Sequence, residues 1–157
     1  MQSQSTKNRF KIIPIFGEIT DESIKDQTMA LLKEDKQDIL LIINSPGGSI
    51  DAGRSIINAM QWCKKDVYTV ANGGIYSMAF QILLYGKIRF SLPHSLFMFH
   101  DTKYDFSQYR YPHDIDDVVS IQKYADKVLT NDMIKKTKLT KTELDKAFLL
   151  KRDTYLT

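Results

Sequence analysis

Two kinds of apolar spacing alternate along the chain. In residues 10–16 and 39–43 nearly every position is apolar, while in residues 20–34 Ile24, Leu31, Leu32 and the methyl of Thr28 recur at helical intervals. This predicts a strand, a helix that Thr20 or Asp21 can cap, and a second strand. Pro14 assigns the first strand to an edge or an irregular position. The second run, Ile39-Leu40-Leu41-Ile42-Ile43 after Asp38, has no polar alternation, which predicts a strand covered on both faces, as in a parallel sheet between helices. Asn44-Ser45-Pro46-Gly47-Gly48-Ser49 ends that strand and opens a helix with Ala52, Ile56, Ala59, Met60 and Cys63 on one face. The unit then repeats: a strand from Val67 breaks at Gly73-Gly74 and restarts as a helix at Ser77, which Gly86 ends. Two successive β-turn-α units predict an α/β fold. Both glycine turns then lie at the C-terminal edge of the sheet, where open α/β sheets place their ligands.

Further on, short strands are predicted at residues 88–91 and 96–99, either side of Pro93, and His100 follows the second. Tyr104, Phe106, Tyr109 and Tyr111 are interleaved with polar residues in an exposed loop or hairpin whose aromatics suit contact with protein. A helix of about residues 114–136 carries Ile115, Val118, Gln122, Ala125, Leu129 and Met133 near one stripe. At roughly 35 Å by helical rise it exceeds what a small sheet needs, so part of it is expected to project toward another subunit. A last helix opens on the capping box of Thr140 and Glu143 and ends near Leu150.

At 157 residues, with 43% hydrophobic and 26% charged, the chain reads as a single globular domain over residues 1–157, behind a polar arm at 1–9. Its net charge of +3 arises from 22 basic and 19 acidic residues scattered without a basic run, which argues against nucleic acid as a partner. A single cysteine, Cys63, suits a reducing compartment. The arm has no apolar core of a signal peptide, and no apolar run approaches the ~18 residues of a membrane span. The expectation is a soluble, cytoplasmic protein.

Ser77 stands where a helix begins after paired glycines, beside backbone N–H groups that lack helical partners. That is a suitable place for a nucleophile, because those donors favour negative charge forming nearby. Helix capping is the commoner role for such a serine. The G-x-S-x-G elbow is absent, since Ile75 and Ala79 occupy its outer glycine positions. Gly47-Gly48 can offer backbone N–H groups to a substrate oxygen, and the run fits neither the phosphate-loop nor the dinucleotide pattern. His100 is a candidate base, although a lone histidine at a strand end is more often structural. His94 and His113, in polar turn-like surroundings beside prolines, receive no role.

The Asn44 to Ser49 run, the Gly73 to Met78 turn, Met98-Phe99-His100 and Arg152-Asp153-Thr154-Tyr155-Leu156 occur in that order, and together they resemble the ClpP family, the proteolytic subunit of the Clp protease. The resemblance spans residues 11–157. It implies a ClpP/crotonase-like α/β fold with repeated β-turn-α units and a projecting handle helix, the handle region covering about residues 101–136. By the same resemblance Ser77 is the nucleophile, His100 the general base and Asp153 the carboxylate that orients it, while the backbone N–H groups of Gly48 and Met78 form the oxyanion hole. Asp101 and Asp105 are rival carboxylates.

The implied activity is that of a serine endopeptidase cutting unfolded polypeptides, through an acyl-enzyme, inside a chamber of two stacked seven-membered rings, a tetradecamer. A Clp-type AAA+ unfoldase would feed it and alone would use ATP; the peptidase would need neither metal nor other cofactor. The chain departs from the family pattern in several places. Asp101 and Thr102 follow His100 where a proline is usual, and the handle is a few residues longer. Leu40 and Ile42 replace tyrosines of the unfoldase-docking pocket, the arm before Arg9 is short, and the family usually continues for one more short helix and strand past the position of Thr157. The competing readings are an acyl-CoA-handling crotonase enzyme, a non-catalytic ring subunit and a Ser-Lys signal-peptide-peptidase relative.

Overall fold

A computed structural model of the chain describes residues 9–33, 36–102, 111–149 and 153–156. In it the first apolar run forms β1 (Phe10–Phe16), followed by α1 (Asp21–Leu32), β2 (Asp38–Ser45), α2 (Ile50–Trp62), β3 (Val67–Tyr76), α3 (Met78–Leu83), β4 (Arg89–Ser91) and β5 (Leu96–Phe99). Then come α4 (Pro112–Lys136), α5 (Lys141–Leu149) and β6 (Thr154–Leu156). The chain divides into two compact units, Met1–Met98 with Tyr155–Thr157, and Phe99–Thr154.

The sheet runs in the order β1-β2-β3-β5-β6, with β4 also paired to β3. The pairs β1-β2, β2-β3, β3-β4 and β3-β5 are all parallel, as strand-helix-strand crossovers require. β1 is the edge strand, which is where a proline lacking an N–H is tolerated, and the Pro14 carbonyl accepts from Gln27 Nε2 at 3.2 Å. Ile13, Ile15, Ile39, Leu41, Ile43, Ala71 and Ile75 of the strands are buried, as are Ile24, Leu31, Ile56, Ala59 and Met60 of the first two helices. Thr20 caps α1 in a box with Ser23, and Ser49 caps α2 by accepting from the Ala52 N–H at 3.2 Å. Cys63, expected on the packed face of α2, sits half-buried just past its end.

Two expectations for this unit need correction. β2 is not covered equally on both faces: Ile39, Leu41 and Ile43 are buried, whereas Leu40 and Ile42 are only half-buried. The register aligns Leu40 with Ile12 and Tyr68, and Ile42 with Pro14 and Val70, so these residues form rows on one face, and Ile12 is 60% exposed. An unbroken apolar run therefore reported an apolar face, not its burial. Second, β3 does not break at Gly73-Gly74 but continues through them to Tyr76. While β2 advances from Ile43 to Ser45, β3 advances from Ala71 to Ile75, a bulge that takes up the extra residues. Side chains hold it: Asn44 Oδ1 accepts from Gly74 N–H at 3.1 Å, and Ser95 Oγ accepts from Gly73 N–H at 3.3 Å while donating to the Ala71 carbonyl at 2.9 Å.

In the second unit α4 starts at Pro112, so it takes in His113, which the polar, proline-flanked context had suggested was in a turn. Proline at the first helical position explains the difference, since its missing N–H would have had no partner there. Along the expected stripe Ala125 and Met133 are buried, while Ile115, Val118, Gln122 and Leu129 are half-buried. Elsewhere on α4, Ile121 and Tyr124 are each 66% exposed. Tyr104, Asp105, Phe106 and Tyr109 lie outside the described residues, and Tyr111 is exposed. Leu144 of α5 is fully buried, and Phe99 meets Phe148 edge-on at 6.1 Å between ring centres.

The α5 capping box forms as expected, with Thr140 N–H donating to Glu143 Oε2 at 2.8 Å and Glu143 N–H to Thr140 Oγ1 at 3.3 Å. The backbone bond from Thr140, then its hydroxyl, hold the Glu143 carboxyl below its ordinary value of 4.5. The contribution of the ionised box is thus present above that value and lost as the pH falls through the lowered one. Among the described residues, no helix is long and apolar enough to cross a membrane.

Removing the cap that opens α2 tests the first unit. Ser49→Ala should lower stability by about 1 kcal/mol with an unchanged urea m-value. A midpoint identical to that of the parent chain would show that the hydroxyl contributes nothing.

Candidate active site

β3 turns into α3 at one residue, Ser77, whose φ of 53° and ψ of −120° make it the one non-glycine residue with positive φ among those described. A side chain in this region strains the backbone by roughly 1–3 kcal/mol and persists only when its surroundings impose it. The Ser77 N–H donates to the Met98 carbonyl at 2.8 Å, and the Ser77 carbonyl accepts from the Phe80 N–H at 3.0 Å. The hydroxyl makes no capping bond to α3, in contrast to Ser49 and Thr20 at their helices. The common alternative for such a serine, a helix cap, is therefore not what its side chain does. A sharp strand-to-helix turn with a serine at its strained apex has the shape of a nucleophile elbow, although Ile75 and Ala79 take the place of the usual glycines.

The turn after β2 lies directly against this apex. A Cβ built on Gly47, at φ 92°, would fall 2.7 Å from the Tyr76 carbonyl oxygen, 2.8 Å from Ser77 Cβ and 3.0 Å from the Met78 nitrogen. Only a residue without a side chain lets the two turns approach so closely. Gly48 forms a bridge with Ile19, in which Ile19 N–H donates to the Gly47 carbonyl and Ser49 N–H to the Ile19 carbonyl, both at 2.8 Å. The Gly48 N–H takes no part in that bridge. Met78 is the first residue of α3, so its N–H has no acceptor within the helix. The structure thus brings Gly48, Ser77 and Met78 to adjoining turns of the first unit.

His100 and Asp153 belong to the second unit. His100 is half-buried directly after β5, and its Nδ1 lies 2.5 Å from the carbonyl oxygen of Asp101. The Asp101 side chain is engaged locally, its Oδ1 accepting from Thr102 N–H at 3.0 Å. Asp153 is exposed just before β6, and among the described residues it forms no hydrogen bond with His100. At Nδ1 the imidazole meets a backbone carbonyl. Among the described residues no cluster of three or more His, Cys, Asp or Glu side chains could hold a metal ion.

The family model described as Clp protease matches residues 2–157. The chain belongs to the Clp protease family. Its mixed α/β sheet agrees with that family's fold, as the motifs had implied. It is 35% identical over 99 residues to the ATP-dependent Clp protease proteolytic subunit of Helianthus annuus, a match covering 59% of this chain and 50% of that one. The subunit of the same name from Carsonella ruddii is 41% identical over 95 residues, covering 57% and 49%. The ATP-dependent Clp protease proteolytic subunit 1 of Frankia casuarinae is also 41% identical over 95 residues, covering 56% and 45%. The chain spans about half the length of the curated relatives it matches.

Two residues that sequence reading passed over enter the picture beside His100. Thr102 Oγ1 donates to Asp126 Oδ1 on α4, joining positions 24 residues apart. Thr102 was notable only for standing where the family usually has proline, and nothing in the spacing pointed to Asp126. In the first unit, Gly47 proves to be the residue touching the serine turn, beside the Gly48 that the resemblance singled out.

That contact can be tested directly. Gly47→Ala should cost roughly 1–3 kcal/mol, because the new Cβ meets backbone atoms that cannot swing aside and the residue keeps a left-handed φ. A denaturation midpoint equal to the parent's would mean that the two turns do not touch.

Proposed function

We propose that the protein is a Clp-type serine endopeptidase in which Ser77 is the nucleophile, His100 the general base and Asp153 the carboxylate that orients the base. The observation that carries this reading is the uncapped hydroxyl of Ser77 on a strained turn packed against Gly47-Gly48. A serine hydroxyl attacks a peptide carbonyl only as its proton leaves, and an imidazole nitrogen is the side-chain base suited to take it near neutral pH. The bond from Oγ to the carbonyl carbon forms as His100 Nε2 takes the hydroxyl proton, and the carbonyl oxygen becomes negative. The N–H groups of Gly48 and Met78 suit that charge, since neither is used by its own turn or helix. Collapse of this intermediate breaks the C–N bond as His100 returns the proton to the leaving amine. Water then hydrolyses the acyl-enzyme by the same steps.

The relatives' names, proteolytic subunits of an ATP-dependent protease, support a peptidase served by a separate ATP-consuming unfoldase. The proposed working form is two stacked seven-membered rings enclosing a chamber in which unfolded polypeptides are cut, in the cytoplasm and without a cofactor of the peptidase itself. The exposed Ile121 and Tyr124 of α4 support assembly, since large apolar side chains at that exposure suit an interface better than water.

The decisive experiment is labelling with a fluorophosphonate together with hydrolysis of a short fluorogenic peptide. Ser77→Ala should abolish both, and His100→Ala should be similarly severe. Peptide cleavage at the parent rate by Ser77→Ala would sink the assignment, and an unlabelled, inactive parent protein would favour a non-catalytic subunit. Asp153→Asn should slow cleavage roughly 10²- to 10⁴-fold, and Asp101→Asn far less. The reverse ranking would move the orienting role to Asp101.

Assembly is tested on α4. Glutamate at both Ile121 and Tyr124 should yield smaller particles in sedimentation and lower peptidase activity with an unchanged circular dichroism spectrum, because the charge falls on an interface and not the core. A large particle that persists would refute the role given to this helix.

A further inference from the structure

We infer that Tyr76 and Tyr155 are positioning residues for Asp153, acting by fixing the register of β6; the inference rests on the reading of Asp153 as the carboxylate that orients the base. β6 is a strand of only three residues, Thr154–Leu156, at the end of the sheet beside β5. A ladder that short specifies its register weakly, and a slip by one residue carries each side chain about 3.3 Å along the strand and turns it to the other face. Asp153 stands directly before β6 and would move with the slip. A hydrogen bond to an imidazole holds only over roughly 2.6–3.2 Å between heavy atoms, so a slipped carboxylate would be lost to the base. The placing of Asp153 therefore calls for a fastening besides the ladder.

A pair of rings supplies it. Tyr155 meets Tyr76 edge-on, with 6.4 Å between ring centres and 79° between ring planes, the arrangement that sets the positive edge of one ring against the negative face of the other. Both tyrosines belong to the first unit, as does Ser77, which follows Tyr76 directly. β5 runs between their strands, and its Met98 is both the register partner of Tyr76 and the residue whose carbonyl accepts the Ser77 N–H. Gly74 leaves room for the Tyr76 ring, since a Cβ there would fall 3.1 Å from its Cε2 and Cζ. The ring contact thus ties β6 to the residue that precedes the nucleophile. Two residues of chain span at most about 7 Å, so fixing Tyr155 confines Asp153 by covalent reach alone. Tyr155 is 60% exposed, which makes it a poor filler of the core. Ordinary packing at a sheet edge would use the same contact, and it is told apart by whether the loss passes through Asp153.

The experiment uses the full chain and the fluorogenic peptide. Tyr155→Leu removes the ring but keeps an apolar side chain, and should lower kcat about tenfold, the scale on which an aromatic pair shifts an equilibrium, while KM stays within about twofold. Tyr76→Leu should do the same, and the double variant should be no worse than either single, as expected of one shared interaction. Tyr155→Phe and Tyr76→Phe, which keep the rings, should stay within about twofold of the parent kcat. The deciding comparison is made in the Asp153→Asn background, where adding Tyr155→Leu should cost less than about twofold, because an orienting carboxylate already removed cannot be misplaced. Particle size in sedimentation should not change. Parent-like kcat in Tyr155→Leu, failure of Tyr155→Phe to retain it, an undiminished further loss on top of Asp153→Asn, or a loss that follows particle size or the folded fraction would overturn the inference. Should Tyr155→Leu fail to fold, Tyr76→Leu decides by the same criteria. A silent Tyr155→Leu beside a crippled Asp153→Asn would remove only the role of the ring pair, whereas parent-rate cleavage by Asp153→Asn would remove the orienting carboxylate itself.

Discussion

A serine at positive φ does not hold itself in place, and the first unit is built to hold Ser77 there. The backbone on either side comes from β3 and α3, one ending at Tyr76 and the other starting at Met78, so the whole reversal falls on a single residue. Two neighbours restrain it. The Met98 carbonyl takes its N–H, and the turn at Gly47 packs on its Cβ at a distance no other residue type would allow. Strain of this kind is sustained by the sheet around it, which is why a site can be precise while sitting at a connection between elements.

The bulge in β3 belongs to the same construction. Had the strand kept perfect register with β2, the side chains past Ala71 would have met their partners in a different frame. The extra residues at Gly73-Gly74 reset the register so that Ser45 faces Ile75, two positions before the serine. Asn44 is central to this adjustment, because its side chain takes the Gly74 N–H while its carbonyl takes the Gly17 N–H. Ser95 does the corresponding work from the other side of β3. Polar side chains at the end of an apolar strand thus convert a weakness of the ladder into a defined geometry.

Much of this fold was legible from spacing because helix and strand periodicities are local. β1, β5, α2 and the capping box of α5 came out where the pattern put them. What escaped was whatever depended on a partner distant in sequence. Gly73-Gly74 read as a break because glycine pairs commonly end strands, and only Asn44 and Ser95 make them a bulge. Ser77 was read as a place for a nucleophile with capping as the commoner alternative, and local sequence could not decide between them; its uncapped hydroxyl goes with a positive φ at the turn. Beside His100 the ring nitrogen Nδ1 meets the carbonyl of its own neighbour, and Thr102 reaches Asp126 on a helix that begins beyond the aromatic segment.

The misreadings of burial have a common origin. Leu40 and Ile42 were assigned to a doubly covered strand, and the stripe on α4 was read from Ile115, Val118, Gln122, Ala125, Leu129 and Met133. Instead Leu40 and Ile42 lie half-open in rows with Ile12 and Val70, Ile121 and Tyr124 lie outside the stripe, and Trp62 at the end of α2 is 76% exposed. Hydrophobic patterning records which faces avoid water in the working form of a protein, and a single chain satisfies only those it can cover alone. These residues fall in both units, on a sheet face as well as on helix surfaces. Contact with other subunits, as proposed, would give such faces the cover that the single chain lacks.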